Sequence, residues 1–277
     1  MTHSLQSIVE TSAETPVETP APREHYTFGD GAVAADRLAL LAAVFEPSSA
    51  RLLRRLGYLQ PQHAVDLGCG PGWSTRLVHA LLAPTNTRGF ESSPRHIARA
   101  RELAPPGVTY EEHDVSDESF PGARPDFLYS RFLLTHLRRP EAIVAKWGRA
   151  AAEHAVLVIE ETADMSSAHP TFGRYYQMVD ELQAAHGQSL RVGALLEGPF
   201  AGWTTEVNVL LPLLLPAQSM ARLHAMNAAT WRHDAFARAA FDAAEVDQVI
   251  AQLTAVAEGI IYAPPVQVLM RQLVLAK

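Results

Sequence analysis

His63-Ala64-Val65-Asp66-Leu67-Gly68-Cys69-Gly70-Pro71-Gly72-Trp73 is the stretch that decides the fold. A short apolar strand stops at a cluster of glycines, and from Trp73 to Leu82 apolar residues recur at helical spacing until Pro84 forbids continuation. Strand, glycine turn and helix in that order make the nucleotide-binding corner of an open α/β sheet. Glycine lets the backbone approach a ligand, and the helix start offers free N–H groups.

The spacing excludes a dinucleotide. That fingerprint needs a third glycine or alanine at position 73 or 75, where this chain has Trp73 and Thr75. Pro71 removes a backbone donor and Asp66 sets a carboxylate beside the turn, and both disfavour a pyrophosphate. They suit a ligand with a cationic end, such as the ammonium and sulfonium of S-adenosylmethionine.

Outward from the turn, strand and helix patterns alternate. Strands are expected at 87–91, 108–111, 126–130 and 155–160, with helices at 94–103 and 140–151. The predicted fold is α/β: a doubly wound, mostly parallel seven-stranded sheet with helices on both faces. After the fifth strand, 169–187 and 190–196 read as helices with no strand between, a helical lid insertion over about 165–200. Strand character resumes at 204–211 and 266–275, around helices at 216–231 and 243–258. Upstream, 36–45 and 50–56 read as two helices. Residues 1–22 hold too few large apolar groups to offset the entropy of ordering and are expected to be a disordered tail, leaving 23–277 as one domain.

Net charge −7 and 19% charged residues give no basis for binding nucleic acid. Val207 to Ala217 is too short to span a bilayer and is broken by Pro212 and Pro216, so no membrane role is expected. Cys69 is the sole cysteine, which excludes an internal disulfide and a cysteine-built zinc site. With no secretory signal pattern, the expected compartment is the cytoplasm. The histidines lack ligand spacing, and no metal is expected.

Two more carboxylates stand where an adenosine needs them. Glu91 closes the second strand, where an acid can accept both ribose hydroxyls, and Asp114 follows the third, where it can accept from an adenine amino group. Val65 to Gly72 together with Glu91-Ser92-Ser93-Pro94 and His113-Asp114 resembles the cofactor motifs of class I S-adenosylmethionine-dependent methyltransferases, over roughly residues 26 to 161. The resemblance implies a Rossmann-like fold with Asp66, Gly68, Gly70 and Gly72 around the methionine and sulfonium, Glu91 on the ribose and Asp114 on adenine. Cys69, Ser92, Val115 and Arg131 complete the expected cofactor set. A Pro-Gly-Gly turn common before the family's fifth strand is replaced here by Ala152-Glu153-His154, outside the expected pocket.

Tyr129 to Leu137 leaves the fourth strand where the methyl group would sit. Arg131 is a candidate for positioning a substrate carboxylate, against an ion pair with Glu160 or Glu161. His136 is a candidate general base, against a packing role. Glu160 joins them as a catalytic candidate, one of two acids at the predicted end of the fifth strand, with one of the pair expected to face solvent. Tyr26, Glu161, Tyr175 and Tyr176 are substrate-binding candidates, with Tyr26 and Phe28 also placed to close over the cofactor and His186 on the lid helix.

The function expected is methyl transfer to N or O of a small metabolite, in bacterial specialised metabolism such as antibiotic biosynthesis. The alternative keeps the fold and performs a non-methylating elimination or cyclisation. The reading leaves room for a homodimer or a pathway partner protein.

Overall fold

The computed structural model describes residues 32–277. The first helix, α1 (Ala32–Arg55), runs through Pro47 without a break, where the sequence suggests two helices. Proline costs a hydrogen bond and a clash inside a helix. Burial of Phe45, Ala50 and Leu53 on either side holds this helix continuous against that cost.

Thereafter come β1 (His63–Leu67), α2 (Trp73–Leu82), β2 (Asn86–Glu91), α3 (Pro94–Glu102), β3 (Val108–Glu112) and β4 (Phe127–Arg131). A 3-10 turn at Leu134–His136 precedes α4 (Pro140–Ala150) and β5 (Val156–Ser166). Two helices follow, α5 (Pro170–Ala185) and the single turn α6 (Val192–Leu195), shorter than the helix expected over 190–196. The chain ends with β6 (Thr204–Leu215), α7 (Ala217–Trp231), α8 (Ala235–Ala240), α9 (Ala243–Ala257) and β7 (Val266–Ala276). Helix α8, started by Asp234 accepting from the N–H groups of Phe236 and Ala237, escapes a periodicity search because it is less than two turns long.

The seven strands order as β3-β2-β1-β4-β5-β7-β6. The first five are parallel; β7 is antiparallel to both β5 and β6. The chain reverses direction across the sheet between β1 and β4, the place where such sheets bind ligands beyond their carboxyl ends. Alternate residues of one strand serve opposite faces. Val65, Leu67, Leu128, Leu157 and Ile159 pack with Val144 and Trp147 of α4, while Ala64, Tyr129 and Val158 pack with Leu53 of α1 and Val78 of α2.

Strands β5, β6 and β7 are twice the length of β1 or β4 and project past the parallel part of the sheet. Their far ends carry Met165, Leu215, Val268 and Met270 into a second core with α5, α7 and α9. This corrects the expectation that β5 stops at Glu160: antiparallel pairing with β7 carries it on to Ser166, with an irregularity between Thr162 and Asp164. Strand β6 forms the open edge, exposes Leu210 and Leu214, and contains Pro212. Among the described residues no helix is long and apolar enough to cross a membrane. The expected tail at 1–22 lies outside the described residues.

Candidate active site

The carboxyl ends of β1, β2 and β3 bound one side of a cleft of about 1240 Å³. Gly68 and Gly72 both have positive φ, +66 and +80. A Cβ at Gly68 would lie 2.6 Å from a Leu133 methyl carbon, and one at Gly72 would lie 2.4 Å from the Tyr110 hydroxyl. The turn is therefore glycine for packing as well as for conformation.

Its acids are arranged differently from one another. Asp66 is buried, and its Oδ2 accepts from Ser74 Oγ at 2.7 Å and Thr75 Oγ1 at 2.6 Å, so it ties the end of β1 to the first turn of α2. Burial pushes its carboxyl up to about 6 against the pull of those hydroxyls. Glu91 sits on the cleft wall: Oε2 accepts from Gly70 N at 3.0 Å and Oε1 from Ser93 N at 2.9 Å, which clamps the glycine turn to the loop after β2. Asp114 is exposed at the cleft, with Oδ1 accepting from Ser116 N at 2.9 Å and Ser116 Oγ at 2.7 Å. The Val115 carbonyl accepts from Trp147 Nε1 at 2.8 Å, anchoring that loop on α4.

On the other side of the cleft the chain leaves β4 through Phe132, a non-glycine residue at φ +55. Left-handed backbone at a bulky residue persists only where the surroundings enforce it. Here Phe132 packs edge-on against Phe45 at 4.8 Å, and the next two N–H groups, of Leu133 and Leu134, donate to Glu161 Oε1 at 2.8 and 2.7 Å. Glu161 is fully buried, its Oε2 has no hydrogen-bond partner among the described residues, and burial pushes its carboxyl up to about 8.

Beyond Phe132 the cleft deepens between α1, α5 and α7, with Arg37, Tyr175, Gln183, His224 and Asn227 on its wall. Tyr175 stacks on His224 at 4.3 Å, and its hydroxyl accepts from Asn227 Nδ2 at 3.1 Å. His136 is half-buried and His224 buried, and desolvation pushes both down to about 3, so each is neutral across the physiological range.

Residues 34–197 match the family model described as a methyltransferase domain. The chain belongs to the methyltransferase domain family. It is 34% identical over 112 residues to a protein of Methylobacterium nodulans named trans-aconitate 2-methyltransferase, a match covering 40% of this chain and 43% of that one. A protein of the same name from Delftia acidovorans is 29% identical over 147 residues, covering 53% and 55%. The chain thus spans about half the length of the curated relatives it matches. Among solved structures, coclaurine N-methyltransferase bound to N-methylheliamine and SAH superposes with a TM-score of 0.55 at 12% identity, covering 84% of this chain and 72% of that one, a likeness of fold.

Within this methyltransferase domain, Gly68, Cys69, Gly70, Glu91, Ser92, Asp114, Val115 and Arg131 all line the cleft. Asp66 and Gly72 do not. The first is shut behind its hydroxyl partners and the second is occupied with Tyr110, so both shape the turn without reaching the cleft. Cys69 is buried, and burial raises its thiol well above the ordinary range, leaving it inert.

Arg131 makes no ion pair with Glu160 or Glu161; its Nη1 donates to Ser49 Oγ of α1 at 3.0 Å. Neither glutamate faces solvent, which corrects that expectation. Consecutive strand residues point to opposite faces, so only Glu161 lines the cleft. Glu160 points toward α1 and β7, accepting from Tyr129 Oη at 2.5 Å and Gln272 Nε2 at 2.7 Å, and has no place among reacting groups. His136 lines the cleft, but a base pushed down to about 3 is a poor proton acceptor near neutrality, so its position supports hydrogen bonding over general-base chemistry. Tyr175 lines the cleft, whereas Tyr176 lies behind His224, its hydroxyl 3.1 Å from Nε2. His186 faces Asp234 at 3.2 Å, away from the cleft. Tyr26 and Phe28 lie outside the described residues.

Sequence reasoning missed Arg37, Phe45, Gln183, His224 and Asn227. The signal was available in α7, where Met220, Leu223, His224 and Asn227 recur at helical spacing with two polar residues on an otherwise apolar face. Among the described residues no group of three metal-ligating side chains converges.

Proposed function

We propose that this protein is an S-adenosylmethionine-dependent methyltransferase acting on N or O of a small metabolite in bacterial specialised metabolism. The observation that carries the reading is the continuity of the cleft: the glycine turn, Glu91 and Asp114 share one cavity with a buried chamber under α5 and α7. The residues fit the cofactor. Glu91 offers remaining lone pairs to ribose hydroxyls, Asp114 Oδ2 is free to accept an adenine amino group, and the Gly68–Gly70 backbone borders the space for the amino-acid end. Asp66 contributes by holding the turn in shape. The bound cofactor supplies an electrophilic methyl group.

The chain's own contribution is alignment in a dry site. Methyl transfer from sulfonium to a nucleophile needs the attacking atom in line and water excluded, and it gains little from a strong base. Phe132 and Phe45 screen the junction between the two halves, while the neutral imidazole of His136 is available to orient the acceptor. The segment at 165–200 serves as the cover of the acceptor chamber within one domain over 23–277, since α5 carries Tyr175 and Gln183. Incubating the protein with the cofactor and candidate acceptors, trans-aconitate included because of the relatives' names, tests the proposal by mass spectrometry. S-adenosylhomocysteine formed in step with a product one methylene unit heavier is the expected result; a product of unchanged methyl count overturns it.

A further inference from the structure

We propose that the deep chamber recognises, through Gln183, His224 and Asn227, a mainly apolar acceptor with neutral hydrogen-bonding groups rather than a polycarboxylate. The inference rests on the methyltransferase reading and narrows its substrate class.

Two helical stripes line this end of the cleft. Tyr175, Val179 and Gln183 lie four residues apart on α5, and Met220, Leu223, His224 and Asn227 follow the same periodicity on α7. Four polar atoms on these stripes are buried without a hydrogen-bond partner among the described residues: Oε1 and Nε2 of Gln183, Nδ1 of His224 and Oδ1 of Asn227. A buried polar group left unsatisfied is destabilising, and native structures hold few of them. Leucine at position 183 would avoid the cost, so an amide there points to a ligand.

The other ends of two of these side chains are fixed from behind. His224 Nε2 meets the Tyr176 hydroxyl at 3.1 Å while its ring stacks on Tyr175, and Asn227 Nδ2 donates to the Tyr175 hydroxyl at 3.1 Å. Each is thereby oriented with one polar atom to spare. The surrounding wall is Phe45, Phe132, Met165, Leu190 and Met220, an apolar lining.

Charge decides the class. Arg37 is the cation on the α1 side of this chamber, and Glu161 the acid beneath it. Arg131 stands at the junction and is tied to Ser49, and both histidines are neutral. Among the described residues Arg37 and Arg131 are the guanidiniums that reach this part of the wall, with the acid Glu161 beside them, so a tricarboxylate would bury more charge than they can pair, which is expensive. A ring bearing adjacent donor and acceptor groups matches what Gln183 offers.

The test uses the full chain saturated with S-adenosylhomocysteine, titrated in a calorimeter with three neutral probes, phenol, benzamide and salicylamide, and with trans-aconitate. At least one neutral probe is expected to bind more tightly than trans-aconitate. Gln183→Leu is expected to weaken that probe about tenfold, the scale of a lost hydrogen-bonding group, while Tm holds or rises and S-adenosylhomocysteine affinity stays the same. Tighter binding of trans-aconitate, no binding of any neutral probe, an unchanged affinity in the variant, or a fall in its Tm overturns the inference. Failure of S-adenosylhomocysteine itself to bind overturns the methyltransferase reading instead, and is seen in a separate titration.

Discussion

The rim of the cleft and its deep chamber solve opposite problems. At the rim, acids are already occupied: Glu91 accepts from Gly70 and Ser93, Asp66 from Ser74 and Thr75, and Asp114 from Ser116. In the chamber, Gln183, His224, Asn227 and Glu161 hold polar atoms with no hydrogen-bond partner among the described residues. A preformed rim binds without rearrangement, whereas a chamber with unmet hydrogen bonds discriminates, because the wrong occupant leaves those groups unpaired.

The contrast can be broken first at its support. Trp147 is fully buried and holds the Val115 carbonyl, so Trp147→Ala should remove about 3–5 kcal/mol of stability, measured by urea unfolding. A loss confined to cofactor affinity, with stability intact, would mean that the rim does not lean on α4. Next, Glu91→Ala should weaken S-adenosylhomocysteine binding by about 1–3 kcal/mol in calorimetry, since the same carboxylate also clamps the turn. Asp114→Ala should cost less, about 0.5–1.5 kcal/mol, because that acid is exposed and braces only its own loop. Equal losses at the two positions would remove the distinction between a clamp and a contact.

The subtlest effect belongs to the chamber. Glu161 has its native carboxyl at about 8 against an ordinary 4.5, so the folded state holds a proton that the unfolded chain releases between these values. Its contribution is therefore fully present below about 4.5 and is lost as pH rises through about 8. Glu161→Gln keeps an acceptor for the Leu133 and Leu134 N–H groups and should flatten the decline in stability across that window. An unchanged slope in a pH series of chemical denaturation would assign the decline to Asp66, which is shifted in the same direction.

How much of this was legible in the sequence follows the same division. The β1 turn, Glu91 and Asp114 are local: each lies at the end of a strand, and strand ends are announced by glycine, proline and apolar runs. The long β5 was not legible, because its second half is stabilised by β7, about a hundred residues away in sequence, through pairing that no local pattern reports. Both Glu160 and Glu161 were legible as acids at the end of a strand, but which of them meets the cleft was not, because alternation alone does not say which face is which or that both are covered. The continuity of α1 across Pro47 was not legible either, because proline propensity is a local cost and the packing that offsets it is not local. The chamber brings α1, α5 and α7 together across the molecule, so its residues had to be seen in space.

Pro212 has a consequence for how the molecule lives among copies of itself. It sits in an edge strand, two residues from solvent-facing Leu210 and Leu214 on either side, with no strand beyond it among the described residues. A long leucine-rich border would otherwise invite another chain to zip alongside it. With an imide nitrogen in the middle of the row there is no proton to offer at that step, so the border that most resembles a template for fibre growth is interrupted where it would be most adhesive.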